Sequence, residues 1–266
     1  MTTSDLDGRG LVLDALRRRP SGLLTDIDGT LSPVAPTPDA ARVEPAARRA
    51  LQSLLPRLDV IAAVTGRDPR QAARMLDLPG VVYVGNHGLE QLHDGEVRLA
   101  PEAEPFAGVV GPIFERVQSS VNIPGVIYED KRVTGSVHFR QADDQEGARA
   151  RLRAALEPLV VESGMELHDG RMILEVRPGE SLGKGAAARR IVEERGLRGC
   201  VFLGDDTTDT DAFRELRALR ADGRIVAVCV GVLSEETPPL VAELADTIVD
   251  GVPGVVALLN WLEENL

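Results

Sequence analysis

The stretch Leu23-Leu24-Thr25-Asp26-Ile27-Asp28-Gly29-Thr30 runs from apolar residues directly into two carboxylates. The apolar residues predict a buried strand, and the Asp-Gly pair predicts where that strand ends. Asp26 and Asp28 would repel each other there, because little solvent would screen their charges. A bound cation would resolve the repulsion. A plain turn of Asp and Gly explains an isolated Asp-Gly in most proteins, so the rest of the chain must decide.

Short apolar runs alternate with helical stretches on both sides of this segment. Besides Leu23–Ile27, the runs include Val60–Val64, Val81–Val84, Cys200–Leu203, Ile225–Val230 and Thr247–Val249. Continuous apolar strands that alternate with helices are typical of a parallel sheet covered on both faces. The sequence therefore predicts an α/β fold with a Rossmann-like parallel-sheet core. Ligands of such sheets bind at the carboxyl ends of the strands.

The middle of the chain has a different pattern. Apolar and polar residues alternate in four segments, which are Val126–Lys131, Ser136–Arg140, Met165–His168 and Met172–Arg177. Alternation predicts strands with one covered face, and Asp169-Gly170 predicts a hairpin turn between the last two. Helical patterns occupy roughly Glu102–Val121 and Asp144–Ser163. These elements predict a small α+β domain.

The spacing of the polar segments indicates that this α+β domain is inserted into the chain of the parallel-sheet domain. Only 28 residues (31 to 58) separate Thr30 from Asp59, whereas 118 residues (66 to 183) separate Thr65 from Lys184. A crossover needs a few tens of residues at most, so the surplus belongs to an inserted domain. We expect a core domain over residues 1–103 and 181–266, with the inserted domain over residues 104–180.

Three further motifs follow predicted strands or begin a predicted helix. They are Val64-Thr65-Gly66-Arg67, Gly183-Lys184-Gly185 and Gly204-Asp205-Asp206-Thr207-Thr208-Asp209. The first offers a hydroxyl and backbone N–H groups to a phosphate oxygen, and the second offers a cation beside a helix N-terminus. The third supplies acidic metal ligands. Either of the first two is more often an ordinary turn or helix start, but all of them at strand ends indicate one site.

The four motifs resemble those of the haloacid-dehalogenase-like phosphatase superfamily in content and order. The resemblance implies that Asp26 attacks phosphorus, while Asp28 serves as acid for the leaving oxygen and base for the hydrolytic water. It also implies that Thr65 and Lys184 hold the phosphoryl oxygens. A Mg²⁺ cofactor is implied as well. Its expected ligands, some of them through water, are Asp26, the backbone carbonyl of Asp28, Asp205, Asp206 and Asp209.

Finer matches, from Leu23 to the C-terminus, resemble the trehalose-6-phosphate phosphatases. Their most specific parts are Gly85-Asn86-His87-Gly88-Leu89-Glu90 and Gly204-Asp205-Asp206-Thr207-Thr208-Asp209. The resemblance implies that the inserted domain is a cap that closes over the active site, and that the substrate is trehalose 6-phosphate. Sucrose phosphate, mannosyl-3-phosphoglycerate or an amino-sugar phosphate is the alternative substrate, because the core motifs would be the same. A catalytically silent metal-binding domain is a further alternative, which Asp28 disfavours.

Expected substrate contacts lie in both domains. Period-two alternation places Glu129 with Lys131, and Arg171 with Glu175, on shared strand faces. Carboxylates accept hydrogen bonds from sugar hydroxyls and basic side chains donate to them, although a solvated face with incidental ion pairs would look alike. The full set is Gly66, Arg67, Asn86, His87, Glu129, Lys131, Arg140, Arg171 and Glu175.

Charge and composition restrict the partners. With 30 Lys and Arg against 42 Asp and Glu, the net charge is −12, which disfavours a nucleic-acid or anionic-membrane binder. Asp14 interrupts the N-terminal apolar stretch, and the run Ile225–Leu233 is too short to span a bilayer. Cys200 and Cys229 lack CxxC spacing and are expected to be buried thiols. We expect a cytoplasmic monomer whose partner is a small sugar phosphate, with neither nucleic acid nor membrane.

Overall fold

The structure is a computed structural model that describes residues 3–35, 40–170, 172–179 and 182–266. Contacts divide the chain into two compact units. The core unit comprises Met1–Arg98 and Gly183–Leu266, and the inserted unit comprises Leu99–Leu182. The sequence places these divisions at 103/104 and 180/181.

The elements are numbered in chain order. The strands are β1 (Ser21–Thr25), β2 (Val60–Val64), β3 (Val82–Gly85), β4 (Glu90–His93), β5 (Glu96–Leu99), β6 (Ile127–Asp130), β7 (Gly135–His138), β8 (Met165–Gly170), β9 (Ile173–Pro178), β10 (Gly199–Gly204), β11 (Val226–Leu233) and β12 (Thr247–Asp250). The α-helices are α1 (Thr3–Arg17), α2 (Pro45–Leu54), α3 (Pro69–Leu76), α4 (Val110–Ser120), α5 (Gln145–Glu162), α6 (Lys184–Glu194), α7 (Thr207–Ala221), α8 (Pro239–Leu244) and α9 (Gly251–Asn265).

An eight-stranded sheet of order β12-β11-β10-β1-β2-β3-β4-β5 forms the centre of the core unit. The pairs from β12 through β3 are parallel, and β3 pairs with β4 in the antiparallel sense. Every residue of β1 and β2 is buried. Such uninterrupted burial reflects helices on both faces, and the predicted α/β fold with a parallel core is confirmed.

Alternate residues of the central strands feed two separate hydrophobic clusters. Leu23 packs with side chains of α1, α2 and α9, whereas Leu24 packs with side chains of α6 and α7. Because neighbouring residues of a strand point to opposite faces, the two clusters lie on opposite faces of the sheet. The loops at the carboxyl ends of these strands are thereby held on a rigid layer.

Two parts of the core unit were not predicted from the sequence. Helix α1 buries Val12 and Leu16 in the first of these clusters. Strands β4 and β5 extend the sheet, and their turn at Asp94-Gly95 has positive φ at both residues, which favours this residue pair.

The inserted unit contains a four-stranded sheet of order β6-β7-β9-β8, in which neighbouring strands are antiparallel. Leu174 and Val176 of β9 pack with α4 and α5 in one cluster. These two helices therefore cover one face of the sheet and do not cover the other. This is the α+β arrangement predicted from the alternating segments.

Three local predictions for the inserted unit were wrong. Asp169 and Gly170 do not form the hairpin turn, because both belong to β8 and pair with Leu174 and Ile173 of β9. Strand β7 ends at His138, so Arg140 stands in the following turn. The helix predicted from Glu102 is interrupted at Gly108, whose φ of 75° is incompatible with a continuous helix, and α4 begins at Val110.

Across the described ranges, no helix combines the length and the apolar character that crossing a membrane requires.

Candidate active site

Three carboxylates converge where β1 and β10 end. Asp26 follows β1, and its backbone N–H donates a 2.9 Å hydrogen bond to the carbonyl of Leu203 in β10. Asp205 follows β10, and Asp209 lies in the first turn of α7. One oxygen from each of these carboxylates lies within 4.8 Å of the others. Parallel pairing therefore assembles a cluster from residues far apart in sequence.

Lys184 supplies the positive charge of this cluster. It is the first residue of α6, and its Nζ lies 2.8 Å from Asp209 Oδ1 and 3.0 Å from Asp26 Oδ1. All three residues are buried. Burial opposes the charged ammonium, but the carboxylates of Asp209 and Asp26 outweigh it and raise the pKa of Lys184. The ammonium is therefore fixed in its charged form beside Asp26.

Three carboxylates and one buried ammonium make up this cluster. Burial raises the pKa of Asp26 well above its ordinary value and also raises that of Asp209. Burial, followed by the charge of Asp209, raises the pKa of Asp205 to about 7. Asp26 Oδ1 is buried, and Lys184 Nζ at 3.0 Å is its partner. Hard divalent cations prefer oxygen ligands, so the three converging carboxylates fit such an ion.

Asp209 and Asp206 organise the loop that follows β10. Asp209 Oδ2 accepts hydrogen bonds from the backbone N–H groups of Asp205 at 3.1 Å and Asp206 at 3.0 Å, while its Oδ1 accepts from Lys184. Asp206 is exposed and forms a capping box with Asp209 at the start of α7. Both expected metal ligands thus hold the loop in place, and Asp206 lies outside the group of three converging carboxylates.

The loop after Asp26 is shaped around Asp205. Thr30 donates a 2.9 Å hydrogen bond from its hydroxyl to Asp205 Oδ1. Gly29 has a φ of 80°, and a Cβ at this position would lie 1.9 Å from Asp205 Oδ2. Glycine is therefore required here both for conformation and for space.

Asp28 is held by Arg67. Arg67 Nε donates to Asp28 Oδ2 at 2.5 Å, and Arg67 Nη2 donates to Asp28 Oδ1 at 2.7 Å. The guanidinium thus grips both carboxylate oxygens, in the planar geometry that only arginine offers. The sequence assigned Arg67 to substrate binding and did not predict this ion pair.

Thr65, Gly66 and His87 complete the neighbouring wall. Thr65 follows β2 and is buried, and its backbone N–H donates a 2.9 Å hydrogen bond to the carbonyl of Val84. A Cβ on Gly66 would lie 2.7 Å from Cε1 of His87, so the imidazole packs directly against this glycine. Asn86 is buried behind this wall and does not line the cavity.

A cavity of about 330 Å³ brings most of these core residues together. Residues that the sequence predicted and that line it are Asp26, Asp28, Thr65, Gly66, Arg67, His87, Lys184, Asp205 and Asp206. The cavity is also lined by residues that were not predicted from the sequence, namely Val34, Thr208, Ser234, Glu236 and Pro238. Ser234, Glu236 and Pro238 follow β11, whose parallel pairing with β10 could have signalled their position.

The candidate residues of the inserted unit share a sheet face. Glu129, Ser136, Glu175 and His168 lie opposite one another across β6, β7, β9 and β8. Glu129 Oε2 lies 3.3 Å from both Lys131 Nζ and His138 Nε2. The face that is not packed against the helices therefore carries both carboxylates and basic side chains.

Arg140 does not belong to the strands of this face. Arg140 is exposed in the turn after β7, where its carbonyl accepts a 2.8 Å hydrogen bond from Gln145. Arg171 lies outside the residues that the structure describes.

The sequence of this chain is similar to those of known proteins. Residues 24–237 match the model of the family described as trehalose-phosphatase. A trehalose-phosphate phosphatase of Mycobacterium avium (strain 104) is 31% identical over 254 residues, which are 89% of this chain and 64% of that protein. This chain thus spans less than two thirds of that relative's length.

Two solved structures are similar to this chain over nearly their whole length. The crystal structure of a trehalose-6-phosphate phosphatase related protein has a TM-score of 0.71 and 26% identity, and covers 91% of this chain and 97% of its own. A trehalose-6-phosphate phosphatase of Aspergillus fumigatus has a TM-score of 0.70 and 25% identity, and covers 97% and 98%.

Proposed function

The chain belongs to the trehalose-phosphatase family, and from this premise we propose that it hydrolyses trehalose 6-phosphate to trehalose and phosphate. The observation that carries the proposal is the convergence of Asp26, Asp205 and Lys184 around one cavity with Asp28 beside them. A nucleophile, a cation site, a fixed ammonium and a second carboxylate are the groups that phosphoryl transfer through a covalent intermediate requires.

Mg²⁺ is the proposed cofactor. Asp26, Asp205 and the backbone carbonyl of Asp28 would hold it, with Asp206 and Asp209 acting directly or through water. When bound, the ion neutralises negative charge between the carboxylate and the phosphate dianion. The convergence of the Asp26, Asp205 and Asp209 carboxylates to within 4.8 Å supports this assignment.

In the first step, a carboxylate oxygen of Asp26 forms a bond to phosphorus while the bond from phosphorus to the sugar oxygen breaks. Asp28 gives its proton to that leaving oxygen. Lys184, held beside Asp26 by Asp209, stabilises the charge that develops on the phosphoryl oxygens, together with the hydroxyl of Thr65. The product of this step is an aspartyl-phosphate on Asp26 and a free sugar.

In the second step, water gives a proton to Asp28 and its oxygen forms the new bond to phosphorus. The bond between phosphorus and Asp26 breaks, which releases phosphate and restores the carboxylate. One carboxylate thus acts as acid and then as base, so Asp28 must be presented in a defined orientation.

Recognition of the sugar is assigned to the inserted unit. Glu129, Lys131 and Glu175, with Arg140, Arg171 and the core residues Gly66 and His87, are the proposed substrate-binding set. Of the residues that the sequence also indicated, Arg67 is paired with Asp28 and Asn86 is buried away from the cavity. The mixed carboxylates and cations of the open sheet face support this role, because a polyhydroxylated ligand needs both acceptors and donors.

The proposed cellular setting is a monomer in a reducing cytoplasm. Cys200 and Cys229 are both buried free thiols, which supports a reducing compartment. Gel filtration of the purified protein with light scattering tests the monomer.

A panel of sugar phosphates tests the substrate. We expect phosphate release from trehalose 6-phosphate with a kcat/KM at least about tenfold above that for sucrose, mannosyl and amino-sugar phosphates, since each sugar hydroxyl that finds no partner costs binding. A clear preference for another member would overturn the assignment while leaving the core chemistry intact.

A further inference from the structure

We infer that Arg67 is a positioning residue that fixes the carboxylate of Asp28 for proton transfer, and that it does not act as a contact for the sugar. The inference rests on the proposed function, because it presupposes the acid and base roles of Asp28. Arg67 then orients the second carboxylate of the site instead of binding substrate, which is the role that the sequence suggested for it.

Arg67 and Asp28 form an ion pair with two hydrogen bonds. Two nitrogens of Arg67 donate to two oxygens of Asp28, at 2.5 and 2.7 Å. The Arg67 side chain is only 10% exposed, whereas that of Asp28 is 36% exposed. The guanidinium therefore lies behind the carboxylate, and the carboxylate presents its remaining surface to the cavity that both residues line.

The backbone of Arg67 is itself held from both sides. Its N–H donates a 3.3 Å hydrogen bond to the hydroxyl of Thr65, and its carbonyl accepts a 2.8 Å hydrogen bond from the N–H of Asn86. The N–H of His87 donates 2.9 Å to the carbonyl of Thr65. Residues 65–67 are thus bound at two points to the loop that follows β3.

That loop adopts a conformation suited to holding its neighbour. Asn86 and His87 have φ of 50° and 59°, and such positive angles are uncommon outside glycine. A Cβ on Gly85 would lie 2.4 Å from the carbonyl oxygen of Arg67, so the two loops are as close as backbones can pack. Strained backbone persists where surrounding contacts determine it. The position of Arg67 is therefore determined by structure rather than by substrate.

The consequence for catalysis follows from the demands of proton transfer. Asp28 must reach the leaving oxygen at hydrogen-bond distance in one step and a water in the next. In the acid form, one of its oxygens carries the proton and the other still accepts from Arg67. Arg67 can thus orient Asp28 in both steps. Without it the carboxylate can rotate, and a misplacement of about 1 Å costs on the order of 100-fold in rate.

Leaving-group dependence separates positioning of the acid from contact with the sugar. The sugar alkoxide of trehalose 6-phosphate is a poor leaving group that needs a proton, whereas 4-nitrophenolate leaves with little help. For Arg67→Gln we expect kcat/KM to fall roughly 10- to 100-fold with trehalose 6-phosphate, and less than about threefold with 4-nitrophenyl phosphate. Arg67→Lys can reach only one oxygen and should lie between the wild type and Arg67→Gln.

Arg220→Gln is the matched control. Arg220 makes a similar two-pronged pair with Asp246, at 2.9 Å for both contacts, and neither residue lines the cavity. This variant should leave the ratio of the two kcat/KM values unchanged. In an Asp28→Asn background, adding Arg67→Gln should change turnover less than about twofold, because residues that act as a unit are not additive.

Equal losses on both substrates, or a rise in KM for trehalose 6-phosphate with kcat unchanged, would overturn the inference. So would a full further loss in the Asp28→Asn background. If Arg67→Gln does not fold, the same comparison with Arg67→Lys decides. Absence of phosphate release by the wild type from either substrate would instead contradict the proposed function, so the two failures are distinguishable.

Discussion

Lys184 Nζ donates a 2.8 Å hydrogen bond to Asp209 Oδ1, and both residues are buried. The contact joins the first turn of α6 to the first turn of α7. Because Asp209 also accepts from the backbone of Asp205 and Asp206, one carboxylate ties the ammonium to the loop after β10. The two helix starts and the acidic loop therefore form one rigid unit beside Asp26.

Replacing Lys184 by Met should destabilise the protein as well as stop turnover. The variant leaves Asp26 and Asp209 buried without their positive partner, and breaking a buried ion pair in this way costs about 3–5 kcal/mol. Urea unfolding in EDTA measures the loss, and Mg²⁺ should recover part of it. Arg189→Met, which removes a partly exposed pair with Glu215, should cost less than about 1 kcal/mol. Equal stability of Lys184→Met and the wild type would contradict this account of the cluster.

Asp26→Asn should separate activity from stability. Turnover should fall by more than about 1000-fold, because the amide cannot attack phosphorus. Burial raises the pKa of Asp26, so its charge opposes folding, and the metal-free variant should be at least as stable as the wild type. Phosphate release and thermal unfolding of the purified variant check both halves. Retained turnover would refute the nucleophile assignment.

The metal-free protein should lose stability as the pH rises through the range in which Asp205 ionises. The folded-state pKa of Asp205 is raised to about 7, above the unfolded value of about 3.9. The folded state therefore holds this proton more tightly, and its contribution to stability declines as the pH rises from about 4 to about 7. Urea midpoints in EDTA at pH 5 and pH 7.5 measure the decline.

Asp205→Asn isolates this contribution from the rest of the protein's titration. The decline between pH 5 and pH 7.5 should be smaller in the variant than in the wild type. Added Mg²⁺ should stabilise the wild type at pH 7.5 and stabilise Asp205→Asn less. Identical declines in the two proteins would show that Asp205 does not titrate as described.

Residues of the inserted unit should affect sugar phosphates selectively. Glu175→Gln and Glu129→Gln should each lower kcat/KM for trehalose 6-phosphate by about tenfold or more, since an acceptor for sugar hydroxyls is lost. Both should leave 4-nitrophenyl phosphate within about threefold of the wild type. Glu157→Gln, on the exposed face of α5, serves as the control. Equal losses on both substrates would exclude a sugar-reading role for these carboxylates.

Strand ends explain why much of the core site could be predicted. Asp26, Thr65 and Asp205 each follow an uninterrupted apolar run, and parallel strands bring their carboxyl ends to one edge. Lys184 follows Gly183 at a recognisable helix start. For these residues, local pattern and sheet topology suffice to place the backbone.

The contacts of long side chains could not be predicted in the same way. The pairing of Arg67 with Asp28 depends on the loop after β3, where Asn86 and His87 adopt positive φ although neither is a glycine. Arg140 follows the alternating pattern of β7 but stands beyond its end, because strand length depends on pairing with β9. The cavity residue Glu236 lies in a loop whose sequence has no distinguishing motif.

The decisive measurement is the release of phosphate from trehalose 6-phosphate, with Mg²⁺ and after treatment with EDTA. We expect turnover by the wild type with Mg²⁺, its loss in EDTA, its return on adding Mg²⁺, and no turnover by Asp26→Asn under any of these conditions. Undiminished phosphate release in EDTA, or release by Asp26→Asn at the wild-type rate, would contradict this expectation.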